Sequence, residues 1–185
     1  VDSLHRADGG RISAASEAAA ATKRGVIVMN TPYGNAVTTA EHAITLMLSL
    51  ARQIPDANES TKAGKWEKSR FMGTEITGKT LGLIGCGNIG TIVAKRAQGL
   101  KMRVIGYDPY LSPENATRLG IEKLELDELL VRADFISLHT PLTEATRNII
   151  SADALNKTKK LKIIFREGAL KSKKCAFKHD IETIC

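Results

Sequence analysis

The stretch from Thr80 to Asp108 constrains the fold more than any other part of the chain. Thr80-Leu81-Gly82-Leu83-Ile84 is a short apolar run of the kind that forms a buried strand, and it leads straight into Gly85-Cys86-Gly87-Asn88-Ile89-Gly90. Ile89, Val93, Ala97 and Leu100 then recur at helical spacing. Arg103-Val104-Ile105-Gly106-Tyr107 reads as a second strand, closed by Asp108-Pro109. A helix between two strands makes their pairing parallel, because the chain must cross back before the second strand starts.

The alternation continues downstream. Ser112-Pro113-Glu114 is a helix start, with serine as cap and proline in the first turn, and Gly120 ends that helix. Leu126 to Arg132 predicts a short helix, and Asp134-Phe135-Ile136-Ser137-Leu138 a third strand. Upstream, Val26-Ile27-Val28-Met29 is expected to be a buried strand, followed by turn chemistry in Asn30-Thr31-Pro32-Tyr33-Gly34-Asn35. Ala40, Ile44, Met47, Leu48 and Ala51 share one helical face. They predict a helix over 39–53, with Thr38 and Glu41 as a capping box and Pro55 as the stop. Residues 56–78 are polar and mixed, consistent with a short helix and a loop. The fold class expected is α/β, a Rossmann-type doubly wound parallel sheet. It is expected to be incomplete, cut after its third or fourth strand with an edge and an apolar face uncovered.

The glycine turn carries the chemistry. Gly85 permits the tight strand-to-helix turn, Gly87 lets backbone approach a pyrophosphate, and Gly90 lets the helix pack close to the strand. The unpaired amides near Asn88 and Ile89, at the positive end of the helix dipole, then face phosphate. Asp108 stands 18 residues after Gly90 and 23 after Gly85, close to the spacing of a ribose-binding acid. A carboxylate there accepts from ribose hydroxyls and repels a 2′-phosphate, so the expected cofactor is NAD rather than NADP. The competing readings are an ordinary tight turn for the glycines and a strand-end turn for Asp108. His139-Thr140-Pro141 follows the third strand, which places it beside the adenosine half of such a cofactor or makes it a plain turn ended by proline.

Composition excludes several alternatives. No run of 18 apolar residues predicts a membrane span. The first residues show no apolar signal core. Three widely spaced cysteines, Cys86, Cys175 and Cys185, suggest neither a disulfide framework nor a zinc site, so a cytoplasmic setting is expected and no metal. The net charge of +7 belongs mostly to one end. From Lys157 onward nine basic residues face three acids, a net +6, whereas the preceding 156 residues are nearly balanced at 18 basic and 17 acidic. That tail is either a solvated end or a weak, unspecific polyanion binder. No motif supports nucleic acid as a partner.

Several segments together resemble the D-isomer-specific 2-hydroxyacid dehydrogenases. They are VIVMNTPYGNAVTTAEHAI (26–44), LARQIPDAN (50–58), GKWEKSRFMGTEITGKTLGLIGCGNIG (64–90), GYDPY (106–110) and ADFISLHTPLTEATRNII (133–150). The NTP-GN and FMGTEI pieces narrow the resemblance to the branch that oxidises 3-phosphoglycerate to 3-phosphohydroxypyruvate with NAD, in serine biosynthesis. The resemblance implies an NAD domain inserted in a substrate domain, a small 2-hydroxy acid as substrate and a homodimer. It implies that Asn88, Ile89, Asp108 and Thr140 contact NAD, that the helix over 39–53 bridges the two domains and that residues 56–75 serve the dimer contact. It divides the chain into an unmatched 1–18, an NAD-binding domain over 19–160 and a basic tail over 161–185. Reading-frame errors or gene decay at both ends would explain the unmatched segments.

A hydroxy-acid dehydrogenase also needs an arginine for the carboxylate and a histidine–acid pair for the proton. By the resemblance, Arg166 stands nearest the catalytic arginine, with a different spacing. None of the four histidines (His5, His42, His139, His179) matches the catalytic position. The isolated chain is therefore expected to bind NAD and turn over nothing. The alternative reading is a non-catalytic NAD-binding and dimerisation module.

Overall fold

The computed structural model describes residues 20–27, 33–141, 143–158 and 163–166. Its centre is β1 (Thr80–Ile84), buried at every position. A strand covered on both faces cannot alternate polar and apolar residues, which is why its sequence reads as a continuous apolar run. β1 pairs in parallel with β2 (Arg103–Tyr107) on one side and β4 (Phe135–Leu138) on the other. The two-residue β3 (Glu122–Lys123) and β5 (Ile163–Arg166) flank these, giving the order β3-β2-β1-β4-β5. The chain builds outward from β1 through β2 to β3, then returns to the opposite side of β1 for β4 and β5. The order therefore reverses between β1 and β4, and a crevice opens beyond their carboxyl ends.

Helices cover both faces, and the alternation within each strand decides which residues meet them. On one face α1 (Ala36–Ala51) and α3 (Asn88–Gly99) bring Ala40, Ala43, Met47, Val93, Ala94 and Ala97 against Leu81, Leu83, Val104 and Phe135. The small alanines let these helices lie close to one another and to the sheet. α4 (Pro113–Leu119) adds Ala116 to the same core. On the other face α5 (Leu126–Arg132) and α6 (Ala152–Asn156) bring Leu129, Leu130 and Ala154 against Ile84, Ile105, Ile136 and Leu138. Each fully buried Leu or Ile contributes about 1.5–3 kcal/mol relative to exposure, so an aliphatic core suffices where aromatics are scarce. At the start of the sheet Asp134 is clamped to Thr80: its amide donates to the Thr80 carbonyl (2.8 Å), and its Oδ2 accepts the Thr80 amide (2.9 Å).

Several expectations are corrected. Val26 and Ile27 lie outside any strand and are exposed, while Val28 and Met29 fall outside the described residues, as do Asn30, Thr31 and Pro32. α1 begins three residues before 39, at Ala36, with Asn35 as a cap that makes no side-chain hydrogen bond. Burying Ala36 favours the earlier start, so Thr38 and Glu41 are not a capping box. Glu41 instead pairs with Arg96 of α3 at 2.9 Å. α1 ends at Ala51, ahead of Gln53 in the left-handed region (φ 53°), and Thr74 donates its amide to the Ala51 carbonyl (2.6 Å). Pro55 does not merely stop a helix; it lies in the first turn of α2 (Ile54–Lys62), where a missing N–H costs nothing. β5 joins the sheet from within the segment read as tail. Cys175 and Cys185 lie outside the described residues.

Among the described residues no helix is long and apolar enough to cross a membrane.

Leu129→Ala should cost about 2–5 kcal/mol, because the fully buried leucine leaves a cavity between α5 and β1. Ser112→Ala should cost about 1 kcal/mol, because its Oγ accepts the Asn115 amide (3.2 Å) at the start of α4. Urea unfolding of both variants beside the parent chain measures the difference.

Candidate cofactor site at the carboxyl edge of the sheet

β1 does not end in a free loop. The Gly85 amide donates to the Tyr107 carbonyl (2.9 Å), carrying the β1–β2 ladder one step into the turn. Gly85 has φ +94°, and a Cβ there would lie 2.8 Å from the backbone of His139. Both facts require glycine. α3 then starts at Asn88, and its ladder opens with the Thr91 amide donating to the Gly87 carbonyl (3.0 Å). The amides of Asn88, Ile89 and Gly90 precede that first bond and point out of the helix start. Gly90 faces back onto the strand end, where a Cβ would overlap the carbonyl of Gly85. Gly87 is the opposite case: a Cβ there meets nothing within 4 Å, and the residue is exposed. Close approach inward at Gly90 and open space outward at Gly87 leave a cradle lined by backbone amides.

Asp108 continues β2 beyond Tyr107 and is half-buried. Its Oδ2 accepts the Cys86 amide (2.8 Å), and its Oδ1 accepts the Tyr110 amide (2.8 Å). The carboxylate therefore points back onto the glycine turn, and each oxygen keeps a further lone pair for a hydroxyl. Cys86 is buried beneath this contact. Burial first, and Asp108 second, push its thiol up to about 12, with Lys123 pulling the other way. It is held as the unreactive thiol.

β4 delivers the third part. The His139 amide donates to the Ile84 carbonyl (2.8 Å), and its ring Nε2 lies 2.7 Å from the hydroxyl of Ser137, which is fully buried. Its Nδ1 is buried with no partner among the described residues. Burial pushes the imidazole down to about 4, so it is neutral at neutral pH. Thr140 follows, its methyl 3.0 Å from where a Gly85 Cβ would sit. The Pro141 carbonyl accepts from the Thr146 hydroxyl, and Thr143 and Thr146 exchange amide-to-hydroxyl bonds (2.8 and 3.2 Å), which ties this loop down.

Gly85, Gly87, Asn88, Ile89, Gly90, Asp108, His139, Thr140 and Pro141 thus gather at one edge, from three neighbouring strands. Arg166 ends β5 in register with Leu138, on the same carboxyl edge. His42 lies on α1, with its Nε2 buried and without a partner among the described residues. His5 and His179 lie outside the described residues. Among the described residues no group of three His, Cys, Asp or Glu side chains could hold a metal ion. Three features of the site escaped sequence reasoning: the Cys86–Asp108 bond, the tie from Tyr110 to Asp108, and the Ser137–His139 pair. The last two left a signal: an aspartate at a strand end often accepts the amide two residues on, and residues two apart on a strand share a face. The arrangement sets amides for an anion beside a carboxylate for hydroxyls, the two needs of a nucleoside diphosphate.

The sequence profile of the D-isomer specific 2-hydroxyacid dehydrogenase NAD binding domain matches residues 44–167. D-3-phosphoglycerate dehydrogenase of Synechocystis sp. is 49% identical over 140 residues, 76% of this chain and 25% of that protein. The enzyme of the same name from Mycobacterium bovis is 52% identical over 140 residues, 76% of this chain and 26% of that protein. Among solved structures, apo D-lactate dehydrogenase from Escherichia coli superposes with a TM-score of 0.71 at 34% identity, over 82% of this chain and 48% of that one. The chain spans about a quarter of the length of the curated relatives it matches. With the switch-point crevice, the amide cradle and the returning carboxylate in one place, the chain belongs to the D-isomer specific 2-hydroxyacid dehydrogenases, through their NAD-binding domain.

Proposed function

We propose that this chain supplies the NAD-binding part of an enzyme that oxidises 3-phosphoglycerate to 3-phosphohydroxypyruvate. The observation that carries the reading is the Cys86–Asp108 hydrogen bond, which makes the ribose acid and the phosphate cradle one unit. The residues present fit the cofactor: Gly87 leaves open the space a pyrophosphate needs, and no side chain of the turn fills it. The amides of Asn88, Ile89 and Gly90 would hold the pyrophosphate, with the positive end of α3 behind them. Asp108 would accept from the ribose hydroxyls and repel a 2′-phosphate. Thr140 and Pro141 would line the adenosine side. NAD, when bound, supplies the hydride acceptor. The two relatives named D-3-phosphoglycerate dehydrogenase support the choice of substrate. The cofactor unit is assigned to residues 19–160, with β5 added to its sheet, and a homodimer through residues 56–75 belongs to the same proposal.

His139 is not read as the proton acceptor. A base with a pKa near 4 is a poor proton acceptor at neutral pH, and its Nε2 is engaged with Ser137. Arg166, on the neighbouring strand end, remains the candidate for holding a substrate carboxylate. The second reading is a chain that binds NAD without turning substrate over, since none of the four histidines stands at the catalytic position. Titration with NADH by fluorescence, run beside a turnover assay with 3-phosphoglycerate and NAD, separates the two readings. No saturable NADH binding at millimolar cofactor would refute both.

Gly87→Ala and Gly90→Ala should part company. The first should fold with unchanged or slightly raised stability and bind NADH at least about tenfold more weakly, a loss of about 1.4 kcal/mol. The second should lose about 1–3 kcal/mol of stability through overpacking against Gly85. Thermal melts and NADH titrations of the pair read both effects. Asp108→Arg should abolish NADH binding at concentrations that saturate the parent chain, as the same titration shows.

Stability should fall with acid because of His139. The unfolded imidazole takes its proton near pH 6.5, the folded one only near 4. Stability is therefore fully present above about pH 6.5 and is lost as the pH drops toward 4, by up to about 3 kcal/mol. Denaturant unfolding at pH 7 and pH 4.5 should show this slope in the parent and a flatter one in His139→Gln.

A further inference from the structure

The loop after β2 carries Asp108 and is closed by the Leu111 amide donating to the Asp108 carbonyl (3.2 Å). Tyr110, whose amide donates to Asp108 Oδ1, is almost fully exposed, so no packing of its ring fixes that amide. Further restraint arrives one residue later. Leu111 is buried in the core, and its carbonyl accepts a hydrogen bond from Lys123 Nζ at 2.5 Å. Lys123 projects from β3, a strand of two residues that would be a weak base alone. β3 is itself fixed twice. It pairs with Ile105 and Gly106 of β2, and Glu122 receives both guanidinium nitrogens of Arg132 (2.7 Å each) while Arg132 also reaches Glu128 (2.8 Å).

We propose that Lys123 is a positioning residue for the cofactor's ribose acid, latching the loop that carries Asp108 from the edge strand. The line of bonds runs from Arg132 through Glu122 and the β3 backbone to Lys123, then through Leu111 and Tyr110 to Asp108 and the Cys86 amide. Its effect is to hold both carboxylate oxygens in place before a ribose arrives, which removes an ordering cost from binding. The ammonium also lies close enough to the turn to oppose the upward push on the Cys86 thiol. The inference rests on the NAD reading of this edge.

The test uses the full chain with Lys123→Met and Lys123→Arg, and NADH as the probe. Lys123→Met keeps the length of the side chain and removes the donor; Lys123→Arg restores one. Lys123→Met should weaken NADH about three- to tenfold, the range set by one hydrogen bond's net worth. Its melting temperature should stay within about 3 °C of the parent, since the residue is exposed. Backbone amides of Tyr110 and Cys86 should exchange with deuterium faster, and Lys123→Arg should recover both properties. In an Asp108→Asn background the same change should cost less than in the parent, because the group it positions is altered. Unchanged NADH affinity in Lys123→Met, or equal loss in both backgrounds, overturns the latch while the NAD reading stands. A parent chain that fails to bind NADH overturns both together.

Discussion

A carboxylate returning onto the backbone of a glycine turn is the contact on which the rest of this structure depends. Asp108 reaches Cys86 only because β1 and β2 are paired in register from Thr80 to Ile84, so that the end of one strand stands beside the end of the other. That register needs the apolar run of β1 buried on both faces. The turn needs Gly85 at a φ no other residue tolerates well, and α3 can lie close only because Gly90 has no side chain. A charge-assisted bond of this kind is worth about 1.5–3 kcal/mol. Its larger consequence is geometric: the amides proposed to hold a phosphate and the acid proposed to hold a ribose are joined in one unit.

The two cores explain how so short a unit holds that geometry. Alanines on α1 and α3 let two helices share one face, while Leu129 and Leu130 of α5 close the other. The reversal of strand order between β1 and β4 then leaves the carboxyl edge open at one place, and His139 seals its floor. Its ring is held neutral by burial and tied to Ser137, so it supplies shape rather than charge beneath the cradle. Opposite duties fall to neighbouring glycines, with Gly90 admitting the helix and Gly87 leaving room for a guest.

Much of this was legible in the chain, for reasons that can be named. β1, β2 and the helix from Leu126 to Arg132 match their sequence boundaries because apolar runs between turn residues leave little freedom of placement. Ser112 and Gly120 bracket α4 through capping chemistry that is local and additive. What was not legible depends on partners distant in sequence. α1 starts early because Ala36 finds a core to enter. β3 and α6 are too short to show a period. Val26 and Ile27 look like the start of a strand and are exposed outside one, while Val28 and Met29 fall outside the described residues. At the site, spacing singled out the acid and the glycines and a strand-end turn at Asp108, whereas the bonds linking Asp108 to Cys86 and Lys123 to Leu111 needed three dimensions.

The central claim is that the start of α3 and the end of β2 bind one dinucleotide together. Amide chemical shifts of the labelled chain during NADH titration test it most directly. The account predicts saturable shifts, with a single dissociation constant, at Asn88, Ile89 and Gly90 and at Tyr110 beside the acid. Saturable binding that leaves these four amides unmoved, or that moves the α3 set and the Tyr110 amide with different constants, would contradict it.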